Sequence, residues 1–232
     1  MNRREVLTSI GATAAGLAVG TAVQAHDEGK KPDYLAPVQN LHAYLCAFHI
    51  GKANPDFVVE AHHYCSPVGD SGEVHQCVIY DKNTKNARIL GVEYIISDRL
   101  YRQLPEEEKK YYHVHTYEII SGMLIAPGLP RPTEKDLMEG LLTTWGKTWH
   151  TWPDPKTALP IGPPMLMWSA TKDGQISPQL LAQRDQEFKV NTDQIRKSRA
   201  YLGPCPQIDP PANIDSLGRQ WTNSGPDVRP KS

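Results

Sequence analysis

Two β-branched and aromatic runs, residues 57–65 and 74–80, flank a loop that carries Gly69-Asp70-Ser71-Gly72. Side chains branched at Cβ favour extended backbone, and a short Gly-containing loop lets one strand return beside the other. The spacing predicts an antiparallel hairpin, with a third strand over 87–96 after the polar turn 81–86. Alternation along the first run puts Glu60, His62 and Tyr64 on one face and Ala61, His63 and Cys65 on the other. His63 and Cys65 then point together, as two ligands of a soft divalent metal would. Pairing of the two runs brings Cys77 close to Cys65. With Cys46 and Cys205 these are the four cysteines. They form no CxxC and allow three full pairings, so their redox state stays open.

A second cluster is His113-Val114-His115. Rings at i and i+2 share a side only on extended backbone; on a helix they diverge by about 200°. Residues 117–126 have a β pattern, so the HxH is expected to lead into a strand. Glu118, three residues on, completes a plausible set of two neutral imidazoles and a carboxylate. Residues 134–152 match helical spacing, with Leu137, Leu141, Trp145, Thr148 and Trp152 on one face. His150 is therefore expected on a helix between large aromatics that exclude water. His42, Cys46 and His49 would share a face of a helix starting near Leu35, although 46–50 could equally begin a strand.

Short helices are expected over 97–104, capped by Ser97, and after Pro105. A strand over 165–170 and helices over 177–188 and 193–202 follow. Strands and helices mix without strict alternation. The expected class is α+β, a mostly antiparallel sheet with flanking helices in a single domain. That domain spans 41–203, between a tether at 26–40 and a Pro-rich tail at 204–232.

Arg3-Arg4 precede a run without charge from Val6 to Ala25 that ends in Val23-Gln24-Ala25. This pattern predicts a twin-arginine signal peptide over 1–25, a mature chain starting at His26, and a periplasmic or secreted location. That route exports folded chains, which favours a preloaded metal or cofactor and weighs against obligatory disulfides. The chain has 25 Lys+Arg against 26 Asp+Glu, a net charge of -1, which excludes a basic nucleic-acid binder. A mean hydropathy of -0.50 excludes a polytopic membrane protein, and no span is expected after the signal.

Several motifs occur in a fixed order: Cys46-Ala47-Phe48-His49, Val59-Glu60-Ala61-His62-His63-Tyr64-Cys65, Gln76-Cys77-Val78-Ile79-Tyr80-Asp81, and Gly91-Val92-Glu93-Tyr94-Ile95. His113-Val114-His115-Thr116-Tyr117-Glu118 and Gly146-Lys147-Thr148-Trp149-His150 follow. Over residues 41–174 this set resembles the oil body-associated protein family, described first from plant seed lipid droplets. The resemblance implies no enzymatic activity. The export signal is a departure from it. A looser similarity links HxH, Glu118 and Gly122 to the first metal motif of cupins, with two residues before the Glu where cupins usually have three or four.

Two functions compete. The first is an exported soluble protein whose His/Cys/Glu pocket binds a divalent transition metal: Zn, Fe or Cu. His63, His113, His115 and Cys65 would be the ligands. Glu118 and His150 would act as acid/base groups if the pocket catalyses a reaction. The alternative is a non-catalytic lipid- or droplet-surface-binding protein. The expected partners are a small molecule or lipid and no nucleic acid.

Overall fold

The computed structural model describes residues 33–204. The segments expected as a signal peptide (1–25) and as a tether up to residue 32, and the tail beyond residue 204 with Cys205, lie outside the described residues. The chain divides into two units, Met1–Asn40 and Leu41–Ser232. In the first, a 3-10 turn at Asp33–Leu35 runs into α1 (Ala36–Gln39), with proline in its first turn.

The second unit is built on strands β1 (Ala43–Gly51), β2 (Asn54–Pro67), β3 (Val74–Tyr80) and β4 (Ile89–Ile96). Then come α2 (Asp98–Arg102), α3 (Glu106–Lys109), β5 (His113–Val114), α4 (Thr116–Ile120) and α5 (Arg131–Leu141). Strands β6 (Trp145–His150) and β7 (Met165–Trp168) and helices α6 (Pro178–Phe188) and α7 (Thr192–Ser198) complete it. All pairings are antiparallel. The strand order is β4-β3-β2-β1-β7-β6, and β6 pairs back onto β4. Six strands thus close into a barrel. The short β5 pairs with β6 at His113↔Gly146 and Val114↔Trp145, ahead of the stretch that pairs with β7.

This corrects the expected α+β sheet with flanking helices. The unit is mostly sheet, a closed antiparallel barrel with a few short helices. An open six-stranded sheet would leave rows of unpaired N–H and C=O groups on β4 and β6. Pairing Gly91–Ile96 with Trp145–His150 removes both edges.

Three local expectations also change. The helix expected over 134–152 stops at Leu141, and β6 follows. The Thr144 hydroxyl and N–H both donate to the Leu141 carbonyl and tie off the helix end. Beyond it Gly146, Thr148 and His150 alternate with Trp145, Lys147 and Trp149, which is a strand period. Residues 116–120 form α4 rather than a strand. Gly122, at φ +79°, reverses the chain there, and the Leu124 N–H donates to the Glu118 carbonyl. A Cβ at Gly122 would sit 2.9 Å from the Thr192 carbonyl oxygen. Finally, the helix begun near Leu35 ends at Gln39. His42, Cys46 and His49 lie in or beside extended β1, where Cys46 and His49 take opposite faces.

The expected hairpin is present, with Cys65 directly opposite Cys77. They form a disulfide with Cα atoms 4.1 Å apart. The expected absence of obligatory disulfides is not met at this pair. Leu45, Ala47, Ala61, Ile79, Leu90, Ile95 and Met167 pack with them, joined by Ile119 and Met138 from α4 and α5. Arg184 of α6 is fully buried and donates to the carbonyls of Gly122 and Met123 and to the Thr192 hydroxyl. It thereby pins the turn after α4.

Candidate metal centre inside the barrel

The inward face of the strands carries polar groups as well as core. His49 comes from β1, His63 from β2, Glu93 from β4, His113 from β5, and Thr148 and His150 from β6. All are buried. His115, the residue that opens α4, is buried with them. Period-two geometry explains the set. In each strand the buried polar residue occupies an inward position between outward ones.

Glu93 is the hub. His63 Nε2 lies 3.1 Å from its Oε2. His113 Nε2 and His115 Nε2 each lie 3.3 Å from its Oε1. His49 Nε2 is 3.0 Å from His63 Nε2, and His49 Nδ1 is 2.9 Å from His150 Nε2. Outside this ring His63 Nδ1 meets the Ala61 carbonyl at 3.1 Å, and His115 Nδ1 meets Thr144 Oγ1 at 2.8 Å. The donors sort into two triads, His49-His63-Glu93 and Glu93-His113-His115, each with its ligand atoms within 4.8 Å of one another.

The electrostatics follow from burial. It lowers His49 well below the usual imidazole range, with His63 and His150 adding to the effect. It lowers His113, and it lowers His150 to about 3. Burial would raise the Glu93 carboxyl, but the imidazoles of His113, His115 and His63 outweigh it and hold the group well below the carboxylate range. Glu118 behaves oppositely. Burial, then the Glu93 charge, push it well above its ordinary value.

Space at the hub depends on Gly146. A Cβ there would lie 2.1 Å from Glu93 Oε1, 2.7 Å from His115 Nε2 and 2.8 Å from His113 Nε2. Three donors therefore converge on the volume that a side chain would fill.

Of the residues singled out in the sequence, the structure brings together His63, His113, His115 and, through His49, His150. His113 and His115 converge although only His113 is in a strand. Cys65 is committed to its disulfide and has no thiolate to offer. Glu118 lies in α4 and is a buried neighbour of the charge on Glu93, which occupies the position expected for Glu118. Sequence reasoning does not reach Glu93 or Gly146 as site residues, and it groups His49 with His42 and Cys46 rather than with the ligands. A lone carboxylate inside Ile89–Ile96, an otherwise uncharged run, was the signal for Glu93.

A second group, Cys46, Glu60 and His62, occupies the opposite face of β1 and β2. The Cys46 thiol donates to Glu60 at 3.3 Å, and the Tyr44 hydroxyl meets His62 Nδ1 at 2.8 Å.

A family model described as "Protein of unknown function (DUF1264)" matches residues 35–203. Oil body-associated protein 1B of Arabidopsis thaliana is 40% identical over 197 residues, which cover 84% of this chain and 81% of that protein. This chain belongs to the oil body-associated family. Another member, oil body-associated protein 1A of Zea mays, is 38% identical over 185 residues, 79% of this chain and 77% of its own. Oil body-associated protein 2C of Arabidopsis thaliana is 35% identical over 180 residues, 76% and 75% of the two chains. No solved structure matches this family member.

Proposed function

We propose that this protein is a non-catalytic lipid-surface-binding member of the oil body-associated family, and that it binds through the outer wall of the barrel. One observation carries the reading. The registers place Tyr64 beside Val78, Val78 beside Val92, Val92 beside Trp149, and Trp149 beside Leu166. These outward residues form one continuous row across five strands, and each is half-buried or exposed. The row ends at a cavity of about 480 Å³ lined by Leu166, Met165, Pro163, Pro164, Ile161 and Lys52, among others. Leu159 and Ile161, 67% and 63% exposed, stand on the loop beside it.

Contiguous exposed apolar surface of this kind marks an interaction site. Arg88 stands over the Trp152 ring, and Lys52 lines the cavity. Aliphatic and aromatic residues rimmed by cations suit the boundary between acyl chains and phosphate headgroups. No helix among the described residues is long and apolar enough to cross a membrane. The names of the relatives support the same reading.

The test is flotation of the purified chain with triolein droplets coated in phosphatidylcholine and phosphatidylserine. The Leu159→Ser, Ile161→Ser double variant should lower the droplet-bound fraction roughly tenfold, from the apolar area withdrawn from lipid. A double variant that floats as well as the unaltered chain contradicts the proposed surface.

A second reading is favoured by the interior. Four buried imidazoles around one buried carboxylate suit a divalent transition metal, Zn, Fe or Cu. It concerns the inside of the barrel and is compatible with the first, which concerns the outside. Elemental analysis of the purified protein tests it: such a metal retained through gel filtration supports it, and none retained removes it.

A further inference from the structure

We propose that the barrel interior is a two-metal centre in which the Glu93 carboxylate bridges the ions, one oxygen to each. This rests on the metal reading above and extends it to number and arrangement.

Hydrogen-bond direction orients two of the imidazoles. His63 Nδ1 faces the carbonyl oxygen of Ala61, which can only accept, so Nδ1 carries the hydrogen. In a neutral ring Nε2 then carries the lone pair, and that lone pair faces Glu93 Oε2 at 3.1 Å. His115 is fixed just as firmly. The Thr144 hydroxyl spends its one hydrogen on the Leu141 carbonyl at 2.7 Å, so it accepts from His115 Nδ1 at 2.8 Å. His115 Nε2 therefore faces Glu93 Oε1 at 3.3 Å, and does so with its lone pair when the ring is neutral.

Each carboxylate oxygen thus meets the Nε2 of a different, separately oriented imidazole. The position between nitrogen and oxygen takes one cation, a proton when the ring donates an N–H and a metal ion when the ring offers its lone pair. The two positions lie at different oxygens, so metal binding there calls for two ions.

Each half has the donors for one ion. On the Oε2 side these are His49 Nε2, His63 Nε2 and Glu93 Oε2. On the Oε1 side they are His113 Nε2, His115 Nε2 and Glu93 Oε1. Zinc–ligand bonds of about 2.0–2.1 Å at tetrahedral angles set donor–donor separations near 3.3 Å. The separations recorded between donors, 3.0 to 3.3 Å, are of that size. The outer nitrogens of His63, His115 and His49 are held by Ala61, Thr144 and His150. Metal-binding imidazoles are oriented by this kind of outer contact. Gly146 leaves the Oε1 side open, because any Cβ there would lie within 2.8 Å of all three donors. The ions that suit two imidazoles and a carboxylate oxygen are divalent first-row metals such as Zn(II).

The experiment is a count. The full chain is stripped with chelator and titrated with Co(II), and separately loaded with Zn(II), desalted and measured by elemental analysis. The expected results are a visible absorption that saturates at two equivalents and two zinc ions per chain. His115→Ala should keep one ion, His63→Ala should keep one, and Glu93→Gln should keep fewer than either. One ion per unaltered chain overturns the bridged pair while leaving the metal reading standing. No ion overturns both. If a variant does not fold, as judged by circular dichroism, the end point with the unaltered chain still decides.

Discussion

At the scale of single residues the site depends on a side chain that is absent. Gly146 sits on β6 opposite His113 and Ile95, and the space above its Cα is where Glu93, His113 and His115 meet. Gly146→Ala puts a methyl group 2.1 Å from a carboxylate oxygen whose group is held by His63, His113 and His115. Overpacking of this kind costs about 1–3 kcal/mol. The expected outcome is a lower urea midpoint with an unchanged slope, together with loss of metal from the Glu93 Oε1 side. A variant as stable as its parent would show that the donors are not held where the structure places them. Little of this was legible in the sequence. His63, His113 and His115 stood out because histidine is uncommon and clustered there. Glu93 and Gly146 are ordinary residues whose roles come from facing inward on particular strands.

At the scale of elements, legibility followed how local the signal was. The hairpin of β2 and β3 could be read because its two runs and its Gly-containing loop are contiguous, and the registers place Cys65 opposite Cys77. Helix α6 was readable from Ser177-Pro178, and the Ser177 hydroxyl does accept from the Leu180 N–H. Strand β6 was not, because Trp145 and Thr148 continue the helical spacing of Leu137 and Leu141 across the break at Thr144. Nor was α4, whose Tyr117, Ile119 and Ile120 are good strand residues and which is ended by Gly122 and held by Arg184. The disulfide closes a 12-residue separation between strands that are already paired. Replacing both cysteines by serine should lower the unfolding free energy by about 3 kcal/mol, chiefly through the freer unfolded chain. Urea unfolding with matched midpoints in the two proteins would contradict a stabilising disulfide.

At the scale of the whole molecule, what escaped the sequence was closure. Period-two runs announce strands but do not say which edges meet, and the β4–β6 pairing joins segments separated by α2, α3, α4 and α5. That one pairing turns the expected sheet with flanking helices into a barrel with an inner and an outer face. It extends the outward row from Val92 to Trp149, the surface proposed to meet lipid. It also places Glu93 on β4 opposite Thr148 on β6, inside a wall from which the carboxylate meets imidazoles of β2, β5 and the start of α4. Anomalous diffraction at the zinc edge from crystals of the Zn(II)-loaded chain tests this interior arrangement most directly. The account predicts two peaks inside the barrel, one against each oxygen of Glu93 and about 3.5–4 Å apart, as in carboxylate-bridged pairs. A single interior peak, or zinc found only at Cys46, Glu60 and His62 on the other face of the wall, would contradict it.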